Sequence, residues 1–143
     1  MTEHTSSDGQ TMRKLYELRM PLRWGDHDAL NHVNNAAYLV YLQEARVRWL
    51  AEHIANWDRT DDASPIMAAV HANYRRPIKW PADIIVQLFC ERLGTSSLTI
   101  AHRIIDADDP SILYLDGNVV MVWINPASGK SVPLPAPIRE ACA

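Results

Sequence analysis

The sequence predicts an α+β fold in which one antiparallel sheet curls around a single buried helix. Three observations carry this prediction: one long helical segment, strand-like periodicity after it, and short turn-like links between the strand segments. Short links favour antiparallel neighbours, because parallel strands need long crossover connections. The predicted order of elements is β-α-β-β-β-β.

The first strand is predicted from Tyr16, where the sequence YELRMPLRW alternates between apolar and polar residues, and Pro21 indicates a bulge or an edge position. The helix begins after Asn34 or Asn35, either of which is a plausible N-cap, and ends near His53. The segment contains good helix formers and no Gly or Pro. Its apolar residues cover most of the circumference, which is typical of a helix wrapped by other elements.

Four further strands are predicted after a polar connection at residues 56–65. Their sequences are IMAAVHANYRRPI, DIIVQLFCERLG, SSLTIAHRIID and SILYLDGNVVMVWIN, separated by KWPA, LGTSS and DADDP. Asp116 and Gly117 leave two alternatives open: a two-residue hairpin, or one long strand with Gly117 at a bulge or at a close backbone approach. We expect an irregular, proline-rich C-terminal extension. We also expect a disordered leader at residues 1–12, ahead of a single domain at 13–143.

Composition argues against several classes of function. A chain of 143 residues with 48% hydrophobic residues is sized for one globular domain. The net charge of −3 and the lack of a basic stripe argue against nucleic-acid binding. No apolar run is typical of a signal peptide or a membrane span, so we expect a cytoplasmic protein with no membrane partner. Cys90 and Cys142 are far apart and lack a CxxC pattern, which predicts a buried thiol and a surface thiol rather than a zinc site or a disulfide framework.

A cluster of polar residues lies where the chain should enter its core. Two aspartates, two histidines and three asparagines occur between Asp26 and Asn35, just before the helix. A carboxylate beside a helix N-terminus can activate water or attack a carbonyl, and the unpaired N–H groups there can stabilise an oxyanion. The cluster has no metal-ligand spacing such as HExxH, so we expect no metal.

The same segment resembles the signature of a known family. RWGDHDALNHVNN, followed by Tyr38, Tyr41, Glu44 and Arg46, is similar to the R-W/Y-x-D-x-D-x-x-G-H-V-N-N-x-x-Y-x-x-Y-x-E-x-A-R pattern of hotdog-fold acyl-CoA thioesterases of the 4-hydroxybenzoyl-CoA thioesterase-like group. NYRRPIKWPADIIVQ, RLGTSSLTI and VVMVWINPASGKSVPLP also match the family, so the resemblance covers roughly residues 15–137. It implies a five-stranded antiparallel sheet wrapped around one long central helix. It also implies a homodimer, or a homotetramer of two dimers, with the active site at the dimer interface.

By position, the resemblance makes Asp28 the catalytic carboxylate, acting as general base or nucleophile, and the backbone N–H near Asn35 the oxyanion donor. The implied substrate is a small-molecule acyl-CoA with a medium or long fatty acyl group or an aromatic one, and no cofactor is needed besides the CoA of the substrate. Further residues are expected to contact the substrate, five of them near strand ends where CoA phosphates would lie: Asn31, His32, Asn34, Tyr38, Arg75, Arg76, Arg92, Ser96 and Ser97.

One residue departs from the family pattern, since Asn31 replaces the usual glycine. Asn tolerates positive φ better than other non-glycine residues, so we expect the turn to survive while the side chain narrows the pocket or contacts the substrate. Asp26 is expected to order the loop rather than to catalyse, and His27 to face solvent or a partner. Glu44 and Arg46 on a wrapped helix need charge partners within the subunit or across the dimer.

Three alternative functions stay open at this point. A thioesterase acting on acyl carrier protein would need a surface that docks a protein. A non-catalytic acyl-CoA binding module would have no use for the carboxylate of Asp28. A hotdog dehydratase places its histidine and acid differently from this D-x-D loop, and is the least favoured.

Overall fold

The computed structural model describes residues 3–5, 11–57 and 62–143. Its elements are β1 (Glu3–Thr5), β2 (Thr11–Pro21), α1 (Asn35–His53), β3 (Ser64–Tyr74), β4 (Asp83–Leu93), β5 (Ser97–Asp106), β6 (Leu113–Ile124) and α2 (Ala136–Cys142). The strands form one antiparallel sheet in the order β1-β2-β4-β5-β6-β3. The five long strands and α1 confirm the predicted α+β hotdog architecture.

The core lies between α1 and the concave face of the sheet. α1 buries seven side chains against it: Tyr38, Tyr41, Leu42, Ala45, Arg46, Trp49 and Leu50. Alternate residues of β4 and β5, such as Ile84, Val86, Leu98 and Ile100, meet them from the sheet, as period-two alternation requires.

The helix is not wrapped on all sides, in contrast to the prediction. Leu39 and Val40 are 37% and 52% exposed. The neighbouring strand is β3, which is the edge of the sheet, and most of its residues are exposed. One chain therefore leaves an apolar stripe of α1 and the edge of β3 uncovered.

The second alternative for Gly117 is confirmed, because β6 continues through it from Leu113 to Ile124. Gly117 has φ +147°, and a Cβ at this position would lie 2.0 Å from the carbonyl oxygen of His71 on β3. No other residue fits this close approach of two backbones. The Asp-Gly pair therefore marks close contact between β6 and β3 rather than a hairpin.

The two ends of the chain differ from expectation. Glu3–Thr5 pair with Thr11–Arg13, so the residues at 3–5 and 11–12 of the predicted leader form strands; the rest of that leader lies outside the described residues. The expected irregular C-terminal extension contains α2, which begins after Pro135 and tolerates Pro137 in its first turn. α2 buries Ile138 and Cys142 in the core, because an apolar face within a proline-rich segment can still pack as a short helix.

Candidate active site

The loop between β2 and α1, residues 22–34, carries the predicted cluster of polar residues. The segment at 24–26 forms a 3-10 turn, and an antiparallel bridge between His27 and Val33 closes the turn that follows. Backbone hydrogen bonds fix this loop on the β3–β4 connection, from the Val33 N–H to the Ile78 carbonyl at 2.9 Å and from the Leu22 N–H to the Ala82 carbonyl at 2.9 Å. The loop is thus held in place by backbone contacts with the β3–β4 connection.

Asp28 begins this turn, directly after the bridge residue His27, and is exposed. Its Oδ1 accepts the N–H groups of Leu30 at 2.9 Å and His32 at 3.2 Å. These two hydrogen bonds, that from Leu30 above all, hold the pKa of Asp28 below its usual range. Its Oδ2 makes no hydrogen bond within the described part of the chain. Asp28 is therefore an ionised carboxylate with one oxygen tied to the loop and one oxygen directed outward.

Asp26 is bound quite differently, although it is only two residues away. Its carboxylate accepts the Tyr41 hydroxyl at 2.9 Å and pairs with the Arg23 guanidinium at 3.1 Å, and its carbonyl accepts the Asn34 N–H at 2.8 Å. Burial, followed by the hydrogen bond to Asp26, raises the pKa of Tyr41. These contacts join the loop to the first turns of α1, which is the ordering role expected for Asp26.

Asn31 adopts the left-handed conformation expected where the family has glycine, with φ +56°. Its side-chain Nδ2 donates to the Trp80 carbonyl at 3.4 Å, so its amide contacts the β3–β4 connection. His32 is half-buried and holds Asp28 through its backbone, with its N–H donating to the carboxylate and its carbonyl accepting the Asp28 N–H at 2.7 Å. This arrangement does not test whether the side chains of Asn31 and His32 contact the substrate. Both contacts stay predictions.

Trp24 and His27 of this loop form an aromatic cluster with Trp80 of the β3–β4 connection, and this cluster could not be predicted from the sequence. The His27 ring is stacked on Trp80 with centroids 6.1 Å apart, and Trp24 contacts it edge-on at 5.4 Å. His27 is thus half-buried between two tryptophans rather than directed into solvent. The contact joins residues 53 positions apart, so no local pattern in the sequence indicates it.

The N-terminus of α1 follows directly after the loop. Asn34 is the N-cap: its Oδ1 accepts the Ala36 N–H at 2.8 Å, and its carbonyl accepts the Ala37 N–H at 2.9 Å. Of the first three N–H groups of α1, those of Asn35, Ala36 and Ala37, only that of Asn35 has no partner within the described residues and can bind a ligand. The helix macrodipole adds partial positive charge at the same place.

Two tyrosines support this helix terminus. The Tyr74 hydroxyl, from the end of β3, donates to the Asn35 carbonyl at 3.0 Å. Tyr38 packs against Tyr74 edge-on at 5.0 Å, while its hydroxyl donates to the Arg76 carbonyl and accepts the Ile78 N–H at 3.2 Å. Tyr38 is 3% exposed, so its hydroxyl serves the β3–β4 connection, and its expected substrate contact is not visible in one chain.

The predicted phosphate-binding residues fall into two groups. Arg75 and Arg76 begin the β3–β4 connection and lie at the same end of the sheet as Asp28. Arg75 pairs with Asp116 at 3.0 Å, whereas Arg76 is exposed, with its backbone N–H bound to the Tyr114 carbonyl.

Arg92, Ser96 and Ser97 lie at the opposite end of the sheet. β4 starts at Asp83, which pairs with Pro21 next to the loop, and then runs away from it for 11 residues, or about 33 Å. The turn after β4 instead contacts α2, since the Arg139 guanidinium donates to the Gly94 carbonyl at 2.7 Å. One chain does not bring these three residues to Asp28, and their contact with CoA stays a prediction.

The two charged residues of α1 have different environments. Glu44 pairs with Arg48 at 2.9 Å on the helix surface, as expected for partners within the subunit. Arg46 is 9% exposed, and its contact in the structure is the Met67 sulfur at 3.9 Å, a weak acceptor. Within the described residues no carboxylate pairs with Arg46.

The described residues hold neither a metal site nor a membrane-spanning helix. No group of three or more His, Cys, Asp or Glu side chains among them is arranged to hold a metal ion. None of the helices in residues 3–5, 11–57 and 62–143 has the length and hydropathy needed to cross a membrane.

The comparison with protein families agrees with the fold and the loop. The model of the thioesterase-like superfamily matches residues 22–142, and the chain belongs to this family. It is accordingly a thioester hydrolase of the hotdog fold. Among curated proteins, it is similar to the long-chain acyl-CoA thioesterase FadM of Escherichia coli, with 26% identity over 114 residues that cover 79% of this chain and 86% of that protein.

Solved structures show the same relationship. A Pseudomonas aeruginosa protein assigned as a thioesterase, PA2801, superposes with a TM-score of 0.87 at 37% identity, covering 92% of this chain and all of that chain. A Xanthomonas campestris protein assigned as an acyl-CoA thioesterase is 48% identical, with a TM-score of 0.76 over 85% of this chain and all of that chain. A Thermus thermophilus thioesterase solved with coenzyme A and Zn is 30% identical, with a TM-score of 0.76 over 90% of this chain and 92% of that chain.

Proposed function

We propose that the protein hydrolyses acyl-CoA thioesters to a free acid and CoA, with Asp28 as the catalytic carboxylate. The observation that carries this proposal is the exposed Asp28, whose Oδ2 makes no hydrogen bond within the described residues and which lies in the loop that leads into the N-terminus of α1. The relatives named for acyl-CoA substrates support CoA as the carrier.

Thioester hydrolysis needs an attacking oxygen, and Asp28 provides it in one of two ways. As a general base, Oδ2 takes a proton from the water that attacks the carbonyl; as a nucleophile, Oδ2 attacks the carbonyl itself and water then cleaves the anhydride. The lowered pKa keeps the carboxylate ionised for both routes. After a single turnover in heavy-oxygen water, heavy oxygen in the Asp28 side chain identifies the nucleophilic route, because water that attacks the Asp28 carbon of the anhydride leaves its oxygen there.

The developing oxyanion is stabilised at the start of α1. The Asn35 N–H is the proposed donor, and the macrodipole strengthens it. Asn34 prepares this donor by accepting the next two N–H groups, and Tyr74 fixes the Asn35 carbonyl. The donor is thereby oriented before the substrate arrives.

The acyl group would occupy the groove beside α1, and Arg76 would approach the CoA phosphates. Fatty and aromatic acyl groups both fit the apolar side chains that border this groove, Leu39, Val40, Met67 and Val70. The hydrolysis consumes only water, so no cofactor is assigned beyond the CoA of the substrate.

The working unit is proposed to be a homodimer formed through β3 and α1, and pairs of dimers would give a tetramer. β3 presents an unpaired edge, and Ile66, Met67 and Val70 on it are 43%, 54% and 41% exposed. Such an apolar edge pairs readily with a second copy. Closing this edge would also enclose the groove and shield Arg46 from water.

Sedimentation velocity tests the dimer. Val70→Lys is expected to shift the protein to monomer by placing a charge at the contact, whereas Ala127→Lys, which adds the same charge on an exposed turn, leaves the dimer intact. A wild-type monomer at micromolar concentration would overturn this part of the proposal.

The function itself is tested by measuring free-thiol release from a panel of acyl-CoAs, short to long and aromatic, beside the same acyl groups on acyl carrier protein. Turnover on CoA esters supports the proposal, and the panel identifies the acyl group. Turnover on carrier-protein esters alone would replace CoA as the carrier. Tight acyl-CoA binding without turnover on either carrier would contradict hydrolysis and favour a binding module.

A further inference from the structure

Two cysteines that are 52 positions apart in the sequence meet where α2 packs on the sheet. Cys90 lies in β4 opposite Arg13 of β2, and Cys142 is the last residue of α2. Cys142 belongs to the buried core cluster, Cys90 packs against that cluster, and both cysteines are free. The Arg13 guanidinium also donates to an oxygen of Ala143, so the end of α2 is held above the same position of the β2–β4 pair.

The burial of the two thiols is the reverse of what the sequence predicts. Cys142, expected on the surface, is 8% exposed and belongs to the core, whereas Cys90, expected to be buried, is half-buried. The physical reason is α2, which folds the tail over the sheet. An oxidant from solvent therefore reaches Cys90 more easily than Cys142.

The two thiols also differ in acidity. Interaction with Cys142 lowers the pKa of Cys90, the Arg13 cation adds to this, and partial burial opposes it. Interaction with Cys90 and burial raise the pKa of Cys142. Because the thiolate is the reactive form, Cys90 is the thiol that reacts first.

We propose that Cys90 and Cys142 are a redox modification site, at which a hydroperoxide such as hydrogen peroxide converts them to an intramolecular disulfide that ties α2 to β4. In the first step the Cys90 sulfur attacks one peroxide oxygen, the S–O bond forms, the O–O bond breaks, and hydroxide leaves to become water. In the second step the Cys142 sulfur attacks the Cys90 sulfur, the S–S bond forms, and the hydroxyl leaves with the Cys142 proton as water.

The two steps together conserve atoms and electrons. Two thiols lose two electrons and two protons, and one hydrogen peroxide is reduced to two waters. A cross-link between β4 and the C-terminal helix restricts the unfolded chain, so the oxidised protein is more stable than the reduced protein. A dithiol reductant restores the starting state.

Native wild-type protein treated with a small excess of hydrogen peroxide, and then alkylated, tests the site. The expected product has a mass lower by two hydrogen atoms, takes up no alkylating agent before reduction, and yields a linked peptide containing Cys90 and Cys142. The melting temperature is expected to rise by about 5 °C or more and to return with reductant. Cys142→Ser is the matched control: it is expected to stop at a Cys90 sulfenic acid, which dimedone traps, and to show no rise in melting temperature.

The main test uses the wild-type protein, so its result does not depend on whether a variant folds. Two alkylatable thiols after peroxide, a sulfinic or sulfonic acid on Cys90, or a disulfide between two chains would each overturn the intramolecular pair. Dimedone labelling of Cys142 in Cys90→Ser at the same rate as of Cys90 in Cys142→Ser would overturn the assigned order of reaction.

Discussion

The two ends of α1 differ in what covers them. At the C-terminal end, α2 covers the helix: Ile138 is fully buried, and Pro137 and Glu140 border the same small cavity as Trp49. At the N-terminal end, a polar loop leads into the helix and leaves Asp28 and Asn35 exposed. The same helix is thus closed by apolar packing at one end and by local hydrogen bonds at the other.

The difference separates apolar packing, which stabilises the fold, from the polar groups that the proposed hydrolysis needs. Apolar closure removes water and contributes free energy of folding. Closure by local hydrogen bonds orders the loop while the outward oxygen of Asp28 and the Asn35 N–H stay free. Changes at the covered end should therefore alter stability, and changes at the open end should alter turnover.

The largest expected effect on stability comes from the covered end. Ile138→Ala should lower the free energy of unfolding by about 3 kcal/mol, because it removes a fully buried side chain and leaves a cavity. Ile138→Val, the matched control, should lower it by only about 1 kcal/mol. Urea unfolding measures both variants. An unchanged unfolding midpoint in Ile138→Ala would show that α2 does not pack as described, and a lost turnover in the folded variant would break the separation between the ends.

His102 on β5 is 1% exposed and tests how completely the sheet excludes water from a titratable side chain. Burial lowers its pKa to about 4, while the hydrogen bond of Nε2 to the His71 carbonyl opposes this. The unfolded chain, with an ordinary value of about 6.5, therefore takes up the proton first. The stability due to neutral His102 is complete above that value and is lost as pH falls towards 4.

Unfolding experiments between pH 7 and pH 5 check this expectation. The wild type should lose about 2 kcal/mol more than His102→Gln, whose amide can still donate to the His71 carbonyl. Equal losses in the two proteins would show that His102 is hydrated.

The smallest expected effect concerns the backbone of the open end. Asn31 has φ +56°, which costs about 1 kcal/mol for a residue with an ordinary side chain and almost nothing for glycine. Asn31→Ala should therefore be about 1 kcal/mol less stable than Asn31→Gly, while both lose the contact with the Trp80 carbonyl. Thermal unfolding of the pair measures the difference, and identical stabilities would mean that the turn relaxes.

Features made by nearby residues could be predicted from the sequence. Asp28 accepts N–H groups from residues two and four positions ahead, and Asn34 caps the helix that follows it. Such contacts depend on local spacing, so the loop, the N-cap and the left-handed conformation of Asn31 could be predicted from the sequence. The period-two pattern of the strands is also local, and it predicted the strands of the antiparallel sheet.

Features made by distant residues could not be predicted in the same way. The support of Asn35 by Tyr74 and the packing of α2 depend on partners that no local pattern specifies. The position of Arg92, Ser96 and Ser97 is a different case, because strand direction was a usable signal. A strand that begins beside the loop must end far from it.

We propose that Asp28, and not Asp26, carries the chemistry at the open end. The most direct measurement is kcat for thiol release by Asp28→Asn and Asp26→Asn side by side, on the best acyl-CoA of the panel. Asp28→Asn should lose at least about a hundredfold in kcat while unfolding like the wild type, because the amide oxygen can still accept the two backbone N–H groups. Asp26→Asn should stay within about tenfold of the wild type, since its contacts order the loop only. Equal losses in the two variants, or wild-type turnover in Asp28→Asn, would show that Asp28 is not the catalytic carboxylate.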